Sequence, residues 1–267
     1  MVVSGSHVAS SRRGAAAPAA MAAADVTPAE VVPVLLAADV AAFTAHDGAL
    51  GLLLVRRTFE PFAGQWALPG GFVRVDETTD RAALRELAEE TGVALERVHV
   101  EQLATYSDPD RDPRGRVVSV AHVAFVPGPL ATVAGSDAAE ARVWPVSAID
   151  LGVRGARGAL PLAFDHRLIA RDAIERVRAK LEYTTLATRF VPGTFTMSEL
   201  RQVYEAVWGV SVDPANFSKK VLSCEGFVHL VASGRSTGRQ VGRPARRYRS
   251  ATAAITYLRR PLLRPEA

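Results

Sequence analysis

Three glutamates, Glu86, Glu89 and Glu90, stand at i, i+3 and i+4 in the stretch GGFVRVDETTDRAALRELAEETGV, which runs from Gly70 to Val93. On a helix that spacing puts all three carboxylates on one face, within roughly 100° of arc. Carboxylates held so close repel one another, by about 0.2–0.5 kcal/mol per pair. A hard divalent cation such as Mg²⁺ or Mn²⁺ reverses that sign, because it prefers oxygen ligands and neutralises the cluster. Such an array can hold metal against a diphosphate and polarise a water for attack on phosphorus. Arg85 can reach Glu89 across one turn, and Glu77 lies just before the helix. A solvated acidic face is the commoner explanation of a lone Glu-x-x-Glu-Glu. It does not account for the full spacing of Gly71, Glu77, Arg85-Glu86-Leu87, Glu89-Glu90 and Gly92-Val93.

A second group is basic. Between Arg235 and Arg249 lie six arginines and no acid, among them Arg235, Arg239, Arg243, Arg246 and Arg247, with glycines at 234, 238 and 242. Arginines on a pliant loop suit phosphate neutralisation and entry into a minor groove. Upstream, Asn216, Ser218, Lys219 and Lys220 follow Pro214 and are of the types that reach base edges or phosphates. A solvated basic surface, or a contact with RNA or an acidic protein, is the alternative. Further side chains suit a nucleotide: Trp66 for stacking on adenine, and Arg56, Arg57 and the Arg111–Arg116 loop for phosphates, with Arg57 and Arg116 as the candidate contacts. A core tryptophan and ordinary surface arginines are the alternatives there.

These residues need elements to carry them. Val31–Ala37 and Leu50–Arg56 read as strands about a turn at Asp47-Gly48, and Val98–Tyr106, Arg116–Val126 and Ala141–Pro145 as further strands. Thr78 or Thr79 caps a helix that runs to Thr91 and stops at Gly92. Asp165 opens a long helix to about Leu181, which could pack on the first domain, join it to the second, or build a dimer. Thr196-Met197-Ser198-Glu199 is a capping box, and the helix after it presents Leu200, Val203, Tyr204, Val207 and Trp208 as one stripe. Asp213 caps another helix with Pro214 at its first position, and two short strands flank the arginine-rich turn. Helix, turn, helix, ribbon is the order of a winged helix-turn-helix. The reading is α+β: a tail over 1–28, a domain over 29–160, a linker helix over 161–185, a winged helix over 186–255 and a C-terminal tail over 256–267.

Composition agrees. At 267 residues and 48% hydrophobic the chain is too apolar for a disordered protein, and no run approaches the 18 apolar residues of a membrane span. The Arg12-Arg13 pair is a poor export signal, since alanines and Pro18 follow it, and Met21 is an alternative start. The single cysteine, Cys224, excludes an internal disulfide and fits the reducing cytoplasm. Residues 183–267 carry thirteen Lys and Arg against five Asp and Glu, a net +8, whereas the first 182 residues carry a net −4. That asymmetry gives two modules with different partners, the basic one for a polyanion.

The Gly71–Val93 spacing resembles the box of the Nudix family at every constrained position. The resemblance implies an α/β/α sandwich that hydrolyses nucleoside diphosphates linked to another moiety. It further implies Glu86, Glu89 and Glu90 as metal ligands, Glu89 and Glu90 as catalytic groups, and the Gly70 carbonyl as a further ligand. Phe164-Asp165-His166, Lys180-Leu181-Glu182-Tyr183, Phe195–Leu200, Val203-Tyr204-Glu205 and Gly242–Arg246 are similar to the Nudix-related transcriptional regulators of NAD biosynthesis. This second resemblance covers about residues 30–250. It implies a homodimer that binds operator DNA and senses ADP-ribose or a related nucleotide through its Nudix domain. Such regulators often have eroded boxes, whereas this box is intact. A metal-dependent hydrolase of ADP-ribose or a similar compound therefore stands beside the repressor as the second reading.

Overall fold

The structure, a computed structural model, describes residues 32–46, 48–128, 138–152, 159–231 and 245–265. Strands β1 (Leu35–His46), β2 (Ala49–Arg57) and β6 (Val117–Phe125) are near-continuous apolar runs. Strands read that way when both faces are buried. With β3 (Trp66–Ala67), β4 (Gly70–Phe72), β5 (His99–Tyr106) and β7 (Ala138–Pro145) they form a mixed seven-stranded sheet. Its order is β3-β2-β1-β6-β5, with β4 also on β1 and β7 on β2. The β1–β6 pair is parallel and the others antiparallel.

Helix α1 (Thr79–Thr91) lays Ala82, Ala83 and Leu87 on one face of the sheet, against Val40, Ala42 and Leu53. Helix α2 (His166–Tyr183) lays Ile169, Ala173 and Val177 on the other, against Phe43, Leu52 and Phe125. This is the expected α+β Nudix sandwich. The first strand differs from its sequence reading, beginning at Leu35 and continuing to His46. Its middle is alanine-rich, which hides it from β-propensity, but Ala38, Ala41 and Ala42 are fully buried between the two helical layers.

The second module follows α2. Helix α3 (Met197–Trp208) starts from the reciprocal capping box of Thr196 and Glu199, and α4 (Pro214–Ser223) from Asp213, whose side chain accepts from the Asn216 N–H at 2.8 Å. Strands β9 (Val228–Leu230) and β10 (Arg247–Ser250) form the ribbon. A third strand, β8 (Phe195–Thr196), pairs with β10 and completes a winged-helix sheet of order β8-β10-β9. Its two residues double as the lead-in to the capping box, so no periodicity announces them.

The segment read as a C-terminal tail is instead a clasp. The Thr185 N–H donates to the Thr256 carbonyl at 3.0 Å, the Leu258 N–H to Tyr183 at 2.7 Å and the Leu262 N–H to Glu182 at 2.8 Å. Leu262 is buried in the core that joins both modules. Backbone pairing of this kind leaves little trace in side-chain type. Among the described residues, no helix is long and apolar enough to cross a membrane.

Candidate functional site

Helix α1 carries the carboxylates as the spacing requires. Thr78 caps it, its Oγ1 accepting from the Arg81 N–H, and Gly92 ends it at φ 67°, the left-handed conformation that glycine adopts without strain. The glutamates do not face one another freely; Arg85 threads them together. Its guanidinium donates to Glu77 Oε1 at 2.6 Å and Oε2 at 3.0 Å, to Glu86 Oε1 at 2.7 Å and to Glu89 Oε2 at 3.1 Å. The Arg85 hydrogen bonds, aided by the Arg74 N–H, pull the Glu77 carboxyl down to about 2. Burial pushes the Glu86 carboxyl up, against the pull of Arg85.

The third glutamate, Glu90, turns the other way. Its Oε2 accepts from the Gly70 N–H at 3.0 Å, and it lines the cleft with Gly70 and Gly71. Any side chain at Gly71 would overlap the Glu86 carboxylate, so the backbone and the acids meet here at close quarters. Carboxylate oxygens beside exposed main chain are the donor chemistry of a hard divalent cation. Among the described residues, though, no three acids converge on one point. Glu86 and Glu89 are gathered by Arg85, whose charge does for them what a cation does.

That arrangement gives a pH signature. Replacing Arg85 with Met leaves Glu77, Glu86 and Glu89 without their counter-charge, and melting at pH 7 is expected to fall by several degrees. A carboxyl depressed to about 2 contributes stability that is present above its unfolded value of about 4.5 and lost as pH falls toward 2. The gap between wild type and variant should therefore close between pH 5 and pH 2. Mn²⁺ should raise the variant's melting temperature more than the wild type's. Parallel melting curves across that range would remove Arg85 from this role.

The cleft itself is about 210 Å³ and is lined by the β1–β2 region, the glycines of β4 and the β5–β6 loop. Of the three side chains read from sequence as nucleotide contacts, Arg57 lies in the lining. Trp66 lies outside it and packs edge-on against Trp144, with ring centroids 5.3 Å apart. Arg116 also lies outside and donates to the Ser107 carbonyl at 2.7 Å. In their places stand Arg114, from the Arg111–Arg116 loop read as a phosphate contact, and Phe59 and Phe72, which carry no signal in the sequence. Phe59 is 66% exposed and Phe72 40%, two aromatic faces at the mouth. The guanidinium of Arg114 stands 5.0 Å over Phe72, and those of Arg57 and Arg114 stand 4.7 and 5.5 Å from the Phe164 ring. Burial, and after it the like charge of Arg114, hold the Arg57 guanidinium below its ordinary value. Arg114 is also held by Asp112, at 2.7 and 3.0 Å; two guanidinium groups beside a shared aromatic surface can receive an anion such as a diphosphate.

The floor is a buried ionic cluster. Asp39 on β1 accepts from Ser119 Oγ at 2.5 Å and lies 3.4 Å from Arg111, which in turn grips Asp165 with two bonds of 2.7 and 2.9 Å. His166 Nδ1 accepts from the Leu68 N–H at 2.9 Å, so the neutral ring carries its proton on Nε2, 3.7 Å from Asp39. Burial holds this imidazole below its usual range, against the opposing pull of Asp39 and Asp165.

At the other end of α2 the basic module presents its own surface. Asn216, Lys219 and Lys220 are exposed and share one face of α4, while Phe217 and Val221 anchor its opposite side. Ser218 is half-buried and its Oγ donates to the Pro214 carbonyl, so it is engaged within its own helix. On β10, Arg247 and Arg249 point outward and Tyr248 inward, and Arg246 is exposed beside them. Arg247 also donates to the Thr194 carbonyl at 3.0 Å. Arg235, Arg239 and Arg243 lie outside the described residues.

Comparison with known proteins agrees with both halves. A NUDIX domain model matches residues 35–163, and a model of the NrtR DNA-binding winged helix domain matches residues 187–250. The chain is 32% identical over 219 residues to the ADPR responsive transcriptional repressor NtrR of Acinetobacter baylyi, covering 81% of this chain and 82% of that one. It is 41% identical over 121 residues to an ADP-ribose pyrophosphatase of Methanocaldococcus jannaschii, covering 45% of this chain and 64% of the relative. Among solved structures, Shewanella oneidensis NrtR matches with a TM-score of 0.67 at 32% identity, over 85% of this chain and 100% of its own. The same protein complexed with a 27mer DNA matches at 0.64 and 30% identity, over 85% and 99% of the two chains. With a Nudix domain followed by a winged helix, and a repressor relative matched over most of both chains, this chain belongs to the NrtR family of transcriptional repressors.

Proposed function

We propose that this protein is a DNA-binding transcriptional repressor of NAD metabolism genes that reads ADP-ribose, or a closely related nucleotide, in the Nudix cleft. One observation carries the reading: the cleft and the DNA-binding module share a single helix. His166, the first residue of α2, lines the cleft. Near the other end, the Arg178 carbonyl accepts from the Trp208 indole at 3.2 Å and the Arg178 guanidinium donates to the Val207 carbonyl at 3.1 Å. A ligand that touches the cleft therefore acts on the element that carries the winged helix.

The diphosphate sits between Arg57 and Arg114, and the base against Phe59 or Phe72. The carboxylates of Glu86, Glu89 and Glu90 and the Gly70 carbonyl would hold Mg²⁺ or Mn²⁺, which when bound supplies charge neutralisation for a diphosphate. The working form is a homodimer in the cytoplasm, since one winged helix spans too few base pairs for useful specificity. The intact carboxylate helix and the pyrophosphatase relative support a second activity, hydrolysis of ADP-ribose in the same cleft.

The test uses the purified chain on a labelled fragment of its own upstream DNA, with and without ADP-ribose, and analyses products in the same sample. The expected footprint is two symmetric half-sites, one or two helical turns apart. Arg114→Ala should weaken ADP-ribose binding about 10–100-fold by calorimetry, the loss of one charge-assisted phosphate contact at roughly 1.5–3 kcal/mol. Unchanged affinity would move the diphosphate elsewhere.

A further inference from the structure

Three of the four α-helices among the described residues start alike. Thr78, Thr196 and Asp213 precede α1, α3 and α4 in extended backbone, with ψ of 164°, 161° and 123°, and each side chain accepts a first-turn N–H. Helix α2 differs. Its N-cap is Asp165, a residue type well suited to capping, yet its ψ is 15° and its side chain makes no cap hydrogen bond. The carboxylate is engaged instead by the Arg111 guanidinium, at 2.7 and 2.9 Å. The residue before it, Phe164, is held at φ 53°, a left-handed conformation that costs a bulky side chain strain. Arg111, Phe164 and His166 all line the cleft.

Asp165 thus has two uses for one carboxylate, and they exclude each other. We propose that Arg111 and Asp165 form a ligand-operated clamp at the start of α2: an anionic ligand oxygen takes the Arg111 guanidinium, and the released Asp165 turns to cap the helix. The inference rests on the sensing role proposed above and names its joint. Phosphate oxygens compete well for arginine, because a planar guanidinium binds phosphate and carboxylate through the same paired geometry. On release, residue 165 moves toward the extended conformation of the other three caps, and Phe164 is free to leave positive φ. The first turn of α2 shifts with them. The far end follows, because Trp208 and the clasp at Leu258 are tied to Arg178 and Tyr183. Arg111 is here a positioning residue, acting on DNA only through α2.

The full-length chain tests this with operator DNA and ADP-ribose. Asp165→Asn retains the ability to cap but loses the charge that holds Arg111. It should bind ADP-ribose about 3–10-fold tighter, bind free operator correspondingly more weakly, and lose most of its response to ligand. Asp165→Ala frees Arg111 but cannot cap, so ADP-ribose should tighten while operator affinity stays near wild type. An equal loss of operator affinity in both variants, or a wild-type ligand response in Asp165→Asn, overturns the clamp. A measurement on the wild type guards against a variant that fails to fold. The Arg167 amide, in the first turn of α2, should gain protection from hydrogen exchange when ADP-ribose is added, and unchanged exchange there overturns the proposal. The two levels separate cleanly. A wild-type protein whose operator affinity ignores bound ADP-ribose removes the sensing role and the clamp together, whereas a responsive wild type with an unaltered Arg167 amide removes the clamp alone.

Discussion

Operator binding is expected to weaken by about 10³–10⁵-fold when salt rises from 50 to 200 mM, the range for proteins that neutralise 6–10 phosphates. Lys219 and Lys220 on α4 and Arg246, Arg247 and Arg249 at the ribbon are exposed on the basic module. The arginine-rich stretch between Arg235 and Arg243 adds to them in sequence. Two copies on a symmetric site, as proposed above, would reach that number of contacts. Each cation that meets a phosphate releases condensed counterions, so log K falls against log[salt] with a slope of about −0.9 per contact. Replacing Lys219 and Arg246 together with alanine should flatten the slope by about 1.8 per subunit while leaving ADP-ribose affinity unchanged. Replacing Asn216 instead should relax the choice of base without changing the slope, because a neutral side chain on a base edge displaces no counterion. A double variant with the wild-type slope would mean that DNA lies on another face.

Much of this molecule is local and therefore readable. The Thr78 cap, the Glu86-Glu89-Glu90 face and the Gly92 stop follow from spacings of three and four residues, and the Thr196–Glu199 box and the Asp213-Pro214 start do likewise. The cleft is different in kind. Arg111 finds Asp165 across 54 residues and Asp39 across 72, and no periodicity links residues brought together by sheet pairing. The Arg111–Arg116 loop was legible as a run of arginines, but which of them faces the cleft depends on a turn. Arg114 turns in over Phe72 and Phe164, while Arg116, two residues on, is drawn to the Ser107 carbonyl. Trp66 shows the same limit. Its position before the glycines suggested a base platform, yet it pairs with Trp144 across the sheet, and Trp144 is remote in sequence. The clasp from Thr256 to Leu262 was unreadable for a further reason, since main-chain hydrogen bonds are available to any sequence.

Saturating ADP-ribose is expected to lower operator affinity some 5–150-fold, the range of a coupling of about 1–3 kcal/mol between two sites. Reciprocity fixes the companion result: operator DNA must weaken ADP-ribose binding by the same factor, and both legs can be measured on one preparation. Release is the expected direction, because an accumulating product of NAD breakdown is a sensible signal to restore synthesis. The intact carboxylate helix adds a question that eroded relatives do not pose, namely whether binding or turnover carries the signal. Glu89 answers it. It is 47% exposed, touches Arg85 at 3.1 Å and lies outside the cleft lining, so Glu89→Gln removes a charge from the carboxylate face of α1 while sparing Arg57, Arg114 and the aromatic mouth. If binding alone is read, the variant should show the full release with no product formed. If turnover is read, release should vanish in the variant, and in the wild type it should decay as ADP-ribose is consumed. Should ADP-ribose bind with ordinary affinity in both proteins and leave the operator complex untouched, the cleft would belong to a hydrolase that happens to share a chain with a DNA-binding module.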